Sequence, residues 1–162
     1  MGAALMCYAP LATVLTIAVG AEPAVVVGLL VVGLSMLPVI DMRLPLVTHR
    51  GPTHTVYFLV AVAGALTIGG ILLGIAGGSI VGGILVGLLL GLIGAVAVGS
   101  HLLADMLTPA GVDLYATGSR RSYNVARAAN PIANYALLGL GVLFSGAGIV
   151  LGQLLATGIE SL

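Results

Sequence analysis

Residues 79–107 read SIVGGILVGLLLGLIGAVAVGSHLLADML, and no ionisable side chain occurs in this stretch before His101. A run of about 20 apolar residues is what an α-helix needs to cross a hydrocarbon core of about 30 Å. Four further apolar runs occupy about 3–20, 24–40, 54–77 and 131–157. The sequence therefore predicts an all-α fold, a polytopic transmembrane helical bundle of about five spans.

The composition restricts the class of protein. Of the 162 residues, 60% are hydrophobic and 6% are charged, and the mean hydropathy is +1.25, whereas a soluble domain has roughly 25% charged residues. We expect one integral membrane domain over residues 1–162, with membrane lipids as its surroundings. The net charge is zero and lysine is absent. A nucleic-acid partner is excluded, because it needs a basic surface.

Proline and glycine mark the turns between spans. Pro10 interrupts the first span, Gly20 to Pro23 predicts a tight hairpin to the second, and Gly77-Gly78 predicts a hairpin of spans three and four. Glycine also recurs at four-residue intervals, a spacing that lets helix backbones approach closely. The members of these rows are Gly70, Gly74 and Gly78, and Gly83, Gly87 and Gly91. They indicate packing within the bundle or, as the alternative, a homo-oligomer or a membrane-complex partner.

Eleven of the thirteen ionisable side chains fall in two polar islands, residues 41–54 and 101–127. Such groups are costly near a bilayer unless they face water, a partner or a metal, so we expect the two islands to form one site. All five arginines lie in these islands. The positive-inside rule then predicts a cytoplasmic N-terminus and a site on the cytoplasmic face of a plasma or inner membrane.

Three histidines and one aspartate are candidate metal ligands. His101 and Asp105 are four residues apart, so they project from one helical face, and imidazole nitrogen and carboxylate oxygen both bind divalent metals such as zinc, manganese or iron. His54 is expected in the first turn of span three, where the helix dipole keeps the ring neutral. His49 can bind the same metal as His54 only if the loop that contains His49 folds back towards that residue. Plain hydrogen bonding at the membrane interface is the alternative interpretation of these residues.

Two further polar residues are candidates for catalysis. Asp41 has three open roles: to ligate a metal, to orient a ligating histidine, or to pair with an arginine. Arg50 is placed to bind an anionic substrate group through its planar fork. Thr108 is expected to cap the helix end, and Asn130 and Asn134 to reach the interfacial cavity at the start of span five.

Two motifs carry a resemblance to a known family. His49-Arg50-Gly51-x-Thr53-His54 and the stretch Ser100-His101-Leu102-Leu103-Ala104-Asp105-Met106-Leu107-Thr108-Pro109-Ala110-Gly111-Val112 closely resemble the YdjM-like family of membrane-bound metal-dependent hydrolases, over about residues 36–118. The resemblance implies a metal-dependent hydrolase and places His49, His54, His101 and Asp105 at the family's metal-site positions.

The chain also departs from that pattern. Val39 and Met42 stand where the family has an acid and a histidine, while Asp41 is kept, and a histidine usual near the family's N-terminus is absent. These departures favour a single metal or a degenerate site over a two-metal site.

The leading hypothesis is a membrane-bound hydrolase of an ester or phosphoester, with a divalent zinc or manganese ion. A lipidic substrate fits a site at membrane depth, although nothing in the sequence selects it. The alternatives are a non-catalytic membrane subunit or scaffold, and a transporter or proton relay. The absence of an inverted repeat argues against the transporter.

Overall fold

The computed structural model describes residues 1–43 and 50–161. Five α-helices follow one another along the chain, and two short 3₁₀ turns lie between the second and the third. The helices are α1 (Gly2–Val19), α2 (Ala21–Leu34), α3 (Val56–Ala76), α4 (Ile80–Met106) and α5 (Pro131–Glu160), and the 3₁₀ turns are Leu37–Arg43 and Pro52–His54. Five segments of the described chain are long and apolar enough to cross a membrane, and the second of them, Ala21–Arg43, comprises α2 and the first 3₁₀ turn. The predicted all-α transmembrane bundle is confirmed.

The helices pack mainly as two pairs, α1 with α5 and α3 with α4, and α2 lies against α1 and α4. The buried core lies where α1, α2 and α4 meet, around Tyr8, Val31 and Ile93. The hydroxyl of Tyr8 donates a hydrogen bond to the backbone carbonyl of Ala24, which joins α1 to α2. Large apolar side chains on the outer faces are exposed, as expected of helices that lie against lipid.

Close packing of α3 on α4 depends on the glycine rows. A Cβ atom added at Gly74 would lie 2.1 Å from the Cα of Gly83, and one added at Gly70 would lie 2.6 Å from the Cα of Gly87. The predicted packing within the bundle therefore holds for these residues. Gly78 has a φ of 85° and forms the turn itself, since this left-handed conformation is open mainly to glycine.

Two local expectations are corrected. Pro10 does not interrupt the first span, because α1 continues through it from Gly2 to Val19. A transmembrane helix tolerates proline where its neighbours accommodate the freed carbonyl. The second span does not remain α-helical to residue 40: α2 ends at Leu34 and the chain tightens into the 3₁₀ turn Leu37–Arg43. That change of winding is what brings Asp41 into the interior, where it is 2% exposed.

Candidate metal centre

The two polar islands meet at one end of the bundle. Arg50 from the first island lies 3.0 Å from Asp105 of the second, and the backbone N–H of Val56 donates to the carbonyl of Leu114 at 2.9 Å. His49 lies outside the described residues, so its predicted role as a ligand stays a prediction.

At the centre of this contact lie His54, His101 and Asp105. His54 Nε2 is 3.5 Å from Asp105 Oδ2, and His101 Nε2 is 3.7 Å from the same oxygen. One potential ligand atom of each residue lies within 4.8 Å of those of the others, and the two imidazole rings meet edge to face with centroids 5.2 Å apart. The i, i+4 spacing on α4 sets the His101–Asp105 contact, and the turn before α3 adds His54.

Asp41 and Thr53 contact His54 on the Nδ1 side of its imidazole ring. The Thr53 hydroxyl donates to Asp41 Oδ2 at 3.0 Å, and the same hydroxyl oxygen lies 3.0 Å from His54 Nδ1. His54 Nδ1 also lies 3.3 Å from Asp41 Oδ2. Both contacts suit a proton on Nδ1, and a histidine with that proton has its lone pair on Nε2, the form required of a metal ligand.

The second carboxylate oxygen of Asp105, Oδ2, is the atom that points to a metal. Asp105 Oδ2 is buried and, among the described residues, has no hydrogen-bond partner. His54 Nε2 lies 3.5 Å from it and His101 Nε2 lies 3.7 Å from it. When these nitrogens carry no proton, electron-rich atoms meet in a buried position. Such an arrangement is costly unless a cation or a proton lies between them. A divalent metal fits this position on the chemistry of the donors.

The separations are also compatible with a metal. Bonds of about 2.0–2.1 Å to zinc allow two ligand atoms to lie at most about 4.2 Å apart. Both histidine–aspartate separations, 3.5 and 3.7 Å, fall within that span, whereas the three ligand atoms as a group extend over up to 4.8 Å. The two imidazoles must therefore move slightly closer for one zinc ion to contact all three ligands. Two imidazoles and one carboxylate also form the donor set of many catalytic zinc sites, in which a fourth position stays open for water or substrate.

The local structure around His54 differs from the expectation. His54 does not lie in the first turn of the third span: it ends the 3₁₀ turn Pro52–His54, and α3 begins at Val56 with Thr55 as its N-cap. The Thr55 hydroxyl accepts from the N–H of Phe58 at 3.2 Å. The neighbours of the His54 ring at Nδ1 are therefore Asp41 and Thr53, and the ring is not part of the first turn of α3.

Arg50 holds the second island against the first. Its guanidinium donates to Asp105 Oδ1 at 3.0 Å, to the carbonyl of Gly111 at 3.2 Å and to the hydroxyl of Thr108 at 3.4 Å. Its backbone has a φ of 60°, and its N–H donates to Asp41 Oδ2 at 3.0 Å. Of the three roles left open for Asp41, the geometry supports orientation of a histidine, with Arg50 bound through its backbone. The predicted catalytic roles of Arg50 and Asp41 stay predictions.

The segment after α4 folds back over the helix end. Thr108 caps it, since its hydroxyl donates to the carbonyl of Asp105 at 2.8 Å, as expected. The hydroxyl of Ser122 donates to the carbonyl of Thr108 at 2.7 Å, and the N–H of Val125 donates to the carbonyl of Leu107 at 2.8 Å. These bonds satisfy backbone groups that a helix end leaves open.

Asp113 lies in the loop beyond this cover. Desolvation raises the pKa of the Asp113 carboxyl. Hydrogen bonds from the backbone N–H groups of Thr117 and Gly118 outweigh this effect, so the pKa lies below the ordinary value of 3.8. A carboxylate that accepts such bonds favours its charged form. Asp113 therefore orders its own loop, and its hydrogen bonds to Thr117 and Gly118 stay within that loop.

Sequence reasoning did not assign the roles of Thr53 and Ser35. Thr53 is part of the His49–His54 motif, yet its position between Asp41 and His54 depends on the 3₁₀ turn. The backbone of Ser35, at the end of α2, interacts electrostatically with His101. No sequence signal marks such a backbone contact, because it arises only from the crossing of α2 and α4.

Comparison with protein families decides the relationship. The model of a family described as YdjM inner membrane protein matches residues 1–159. The chain belongs to the YdjM inner membrane protein family. The match extends well beyond residues 36–118, the part of the chain that carries the resemblance in sequence motifs. The family description gives a membrane location and names no activity. No curated protein and no solved structure matches the chain.

Proposed function

We propose that this YdjM family member is a metal-dependent hydrolase that cleaves an ester or phosphoester at the surface of the inner membrane. The observation that carries the proposal is Asp105 Oδ2, a buried carboxylate oxygen without a hydrogen-bond partner in the described part of the chain and within 3.7 Å of two imidazole nitrogens. Residues 1–162 act in this proposal as one integral membrane domain.

In this proposal His54 Nε2, His101 Nε2 and Asp105 Oδ2 hold the ion, with zinc or manganese as the metal. When bound, the ion supplies Lewis acidity, which polarises the scissile group and lowers the pKa of water to the range useful at neutral pH. Asp41 and Thr53 keep His54 in the tautomer and orientation that ligation requires. Arg50 neutralises part of the charge on Asp105 and fixes its carboxylate plane.

The proposed orientation has the site at the cytoplasmic face. The arginines on both islands support it, because positive residues in short loops accumulate on the cytoplasmic side. Arg50 lines a cavity with a volume of about 380 Å³ that also touches Tyr57 and Asp113. An anionic group of the substrate would enter here, since the guanidinium has five N–H donors and only part of them is used.

A non-catalytic membrane subunit is the second candidate, and one observation favours it. The guanidinium of Arg50, 3.0 Å from Asp105 Oδ1, already supplies positive charge to the carboxylate that the metal would share. Under this alternative the contacts among Arg50, His54, His101 and Asp105 only hold the two islands together, and the protein contains no metal after purification.

Metal content separates the two candidates. The full chain is purified in detergent and compared with a His101→Ala/Asp105→Ala variant and with Asp113→Ala, a control that removes a carboxylate from the neighbouring loop. Elemental mass spectrometry should find about one metal per chain, as in a three-ligand catalytic site, in the wild type and the control and none in the double variant. Equal metal in all three proteins would refute the ligand set.

A substrate screen follows on the metal-loaded protein. Panels of ester and phosphoester substrates should show turnover that His54→Ala abolishes and that Glu22→Ala, which removes an exposed carboxylate in the first turn of α2, leaves unchanged. If the wild type contains no metal after incubation with zinc or manganese and cleaves nothing, the subunit hypothesis replaces the hydrolase hypothesis.

A further inference from the structure

A cavity adjoins the metal centre on the side of α5. It has a volume of about 330 Å³ and lies between the end of α4, the segment 125–128 and the first three turns of α5. Asp105 forms part of its wall, so the cavity reaches a residue of the proposed ligand set. The volume falls within the range of sites that bind small molecules.

The cavity wall has a polar end and an apolar end. Asp105, Thr108, Arg127 and Asn134 contribute the polar groups. Leu137 and Leu140 lie six and nine residues into α5, which corresponds to about 9 and 14 Å along a helix that rises 1.5 Å per residue. The apolar wall therefore extends from the polar islands towards the interior of the membrane-spanning part.

The arrangement of the helices leaves this cavity open at its side. α5 packs on α1, and α4 packs on α3, while α4 and α5 make little direct contact in the part of the chain that the structure describes. The Asn134 side chain donates to the carbonyl of Ala128 at 2.9 Å, which holds the segment 125–128 against α5. Because α4 and α5 are both long and apolar enough to span a membrane, lipid can reach this gap from the side.

We infer that this cavity binds one hydrocarbon chain of a membrane lipid with a phosphate-containing anionic head group, and that its head group lies at Asp105 and Arg127. The inference rests on the proposed function and specifies the substrate as a lipid phosphoester. The apolar wall can bind the hydrocarbon chain of the lipid, and Arg127 is a cation that can pair with the anionic head group. Asp105 lies where the scissile phosphoester would be next to the metal.

Photo-crosslinking tests the chain position without requiring turnover. The probe is phosphatidylglycerol with a diazirine in one acyl chain, mixed into nanodiscs that contain the full-length protein, and labelled residues are mapped by mass spectrometry. We expect labelling around Leu137 and Leu140. Ala136→Phe, which fills the cavity, should lower it about tenfold because added bulk displaces the chain. Ala147→Phe, on an exposed part of α5 away from the cavity, should leave it unchanged.

The head group is tested with a second pair of variants. Arg127→Gln should lower labelling by the phosphatidylglycerol probe about fivefold, the value of one cation next to an anionic lipid surface, and should leave a phosphatidylcholine probe with the same chain unaffected. Arg121→Gln is the matched control in the exposed loop. Inorganic phosphate should not compete, since the inference places the phosphate on a lipid.

The inference and the proposed function fail separately. Labelling is measured on wild-type protein after metal removal with a chelator as well as on metal-loaded protein. Cavity labelling that Ala136→Phe blocks supports the lipid site even if the wild type contains no metal, in which case only the hydrolase fails. Bound metal together with equal labelling in Ala136→Phe and Ala147→Phe overturns the lipid site and leaves the hydrolase standing.

Discussion

Asp41→Asn tests whether Asp41 acts on the metal centre through His54. Asp41 Oδ2 accepts from the Thr53 hydroxyl and from the Arg50 N–H, each at 3.0 Å, and lies 3.3 Å from His54 Nδ1. Asparagine keeps the shape of the side chain but removes the negative charge that these donors face. The fold should survive, because a neutral oxygen still accepts hydrogen bonds, although each bond is weaker.

The expected effect is on metal affinity. Residues that orient a ligating histidine typically contribute about 10–100-fold to affinity, which is about 1.4 to 2.8 kcal/mol at 1.4 kcal/mol per factor of ten. With a neutral amide in place of the Asp41 carboxylate, the Nδ1 proton of His54 is held less firmly and Nε2 is a poorer ligand. By contrast, Asp105→Ala removes a ligand and should abolish binding.

The assay is a zinc titration of detergent-purified protein in competition with a fluorescent chelator. Asp113→Asn is the control, since Asp113 accepts backbone hydrogen bonds from Thr117 and Gly118 outside the centre. A melting curve for each variant separates loss of fold from loss of affinity. An unchanged affinity in Asp41→Asn would refute the orienting role, and complete loss of binding in a folded protein would make Asp41 a direct ligand.

Two further predictions concern packing and pH. Gly74→Ala should destabilise the α3–α4 hairpin by about 1–3 kcal/mol through overpacking, because the new Cβ would lie 2.1 Å from the Cα of Gly83. Gly64→Ala is the control and should not destabilise it, because a Cβ at Gly64 would have nothing within 4 Å. Equal melting temperatures of the two variants would contradict this reasoning. The lowered pKa of Asp113 means that its stabilisation is present above its ordinary value of 3.8 and is lost as the pH falls through the folded pKa. Hydrogen exchange at Thr117 and Gly118 should therefore lose protection in acid relative to Asp113→Asn, and identical acid profiles for the two proteins would argue against it.

The fold was largely predictable because hydropathy is a local property. Apolar runs of membrane-spanning length set the number of helices and their approximate bounds, and Gly77-Gly78 set the turn between α3 and α4. The errors at Pro10 and at the end of α2 concern backbone geometry within a span. Whether a proline interrupts a helix, or where an α-helix tightens into a 3₁₀ turn, depends on neighbouring helices that the sequence does not place.

The candidate site was predictable only in part. The spacing of His101 and Asp105 put both on one face of α4, and the clustering of polar residues put His54 and Arg50 on the same side of the membrane. The sequence could not choose among the roles of Asp41. That choice depends on distances of about 3 Å between residues on separate segments, and such distances are set by packing.

The sequence by itself determined an all-helical membrane protein with eleven of its thirteen ionisable groups in two islands, because each span must be apolar along its whole length and each charge must find a polar surrounding. Three features were decided by the tertiary structure alone. Asp105 contacts Arg50 and the imidazoles of His54 and His101, Asp41 and Thr53 contact the Nδ1 side of His54, and a cavity separates α4 from α5. These features depend on how the 3₁₀ turns and the loop after α4 cross the helix ends, and that crossing is a property of the packed bundle as a whole.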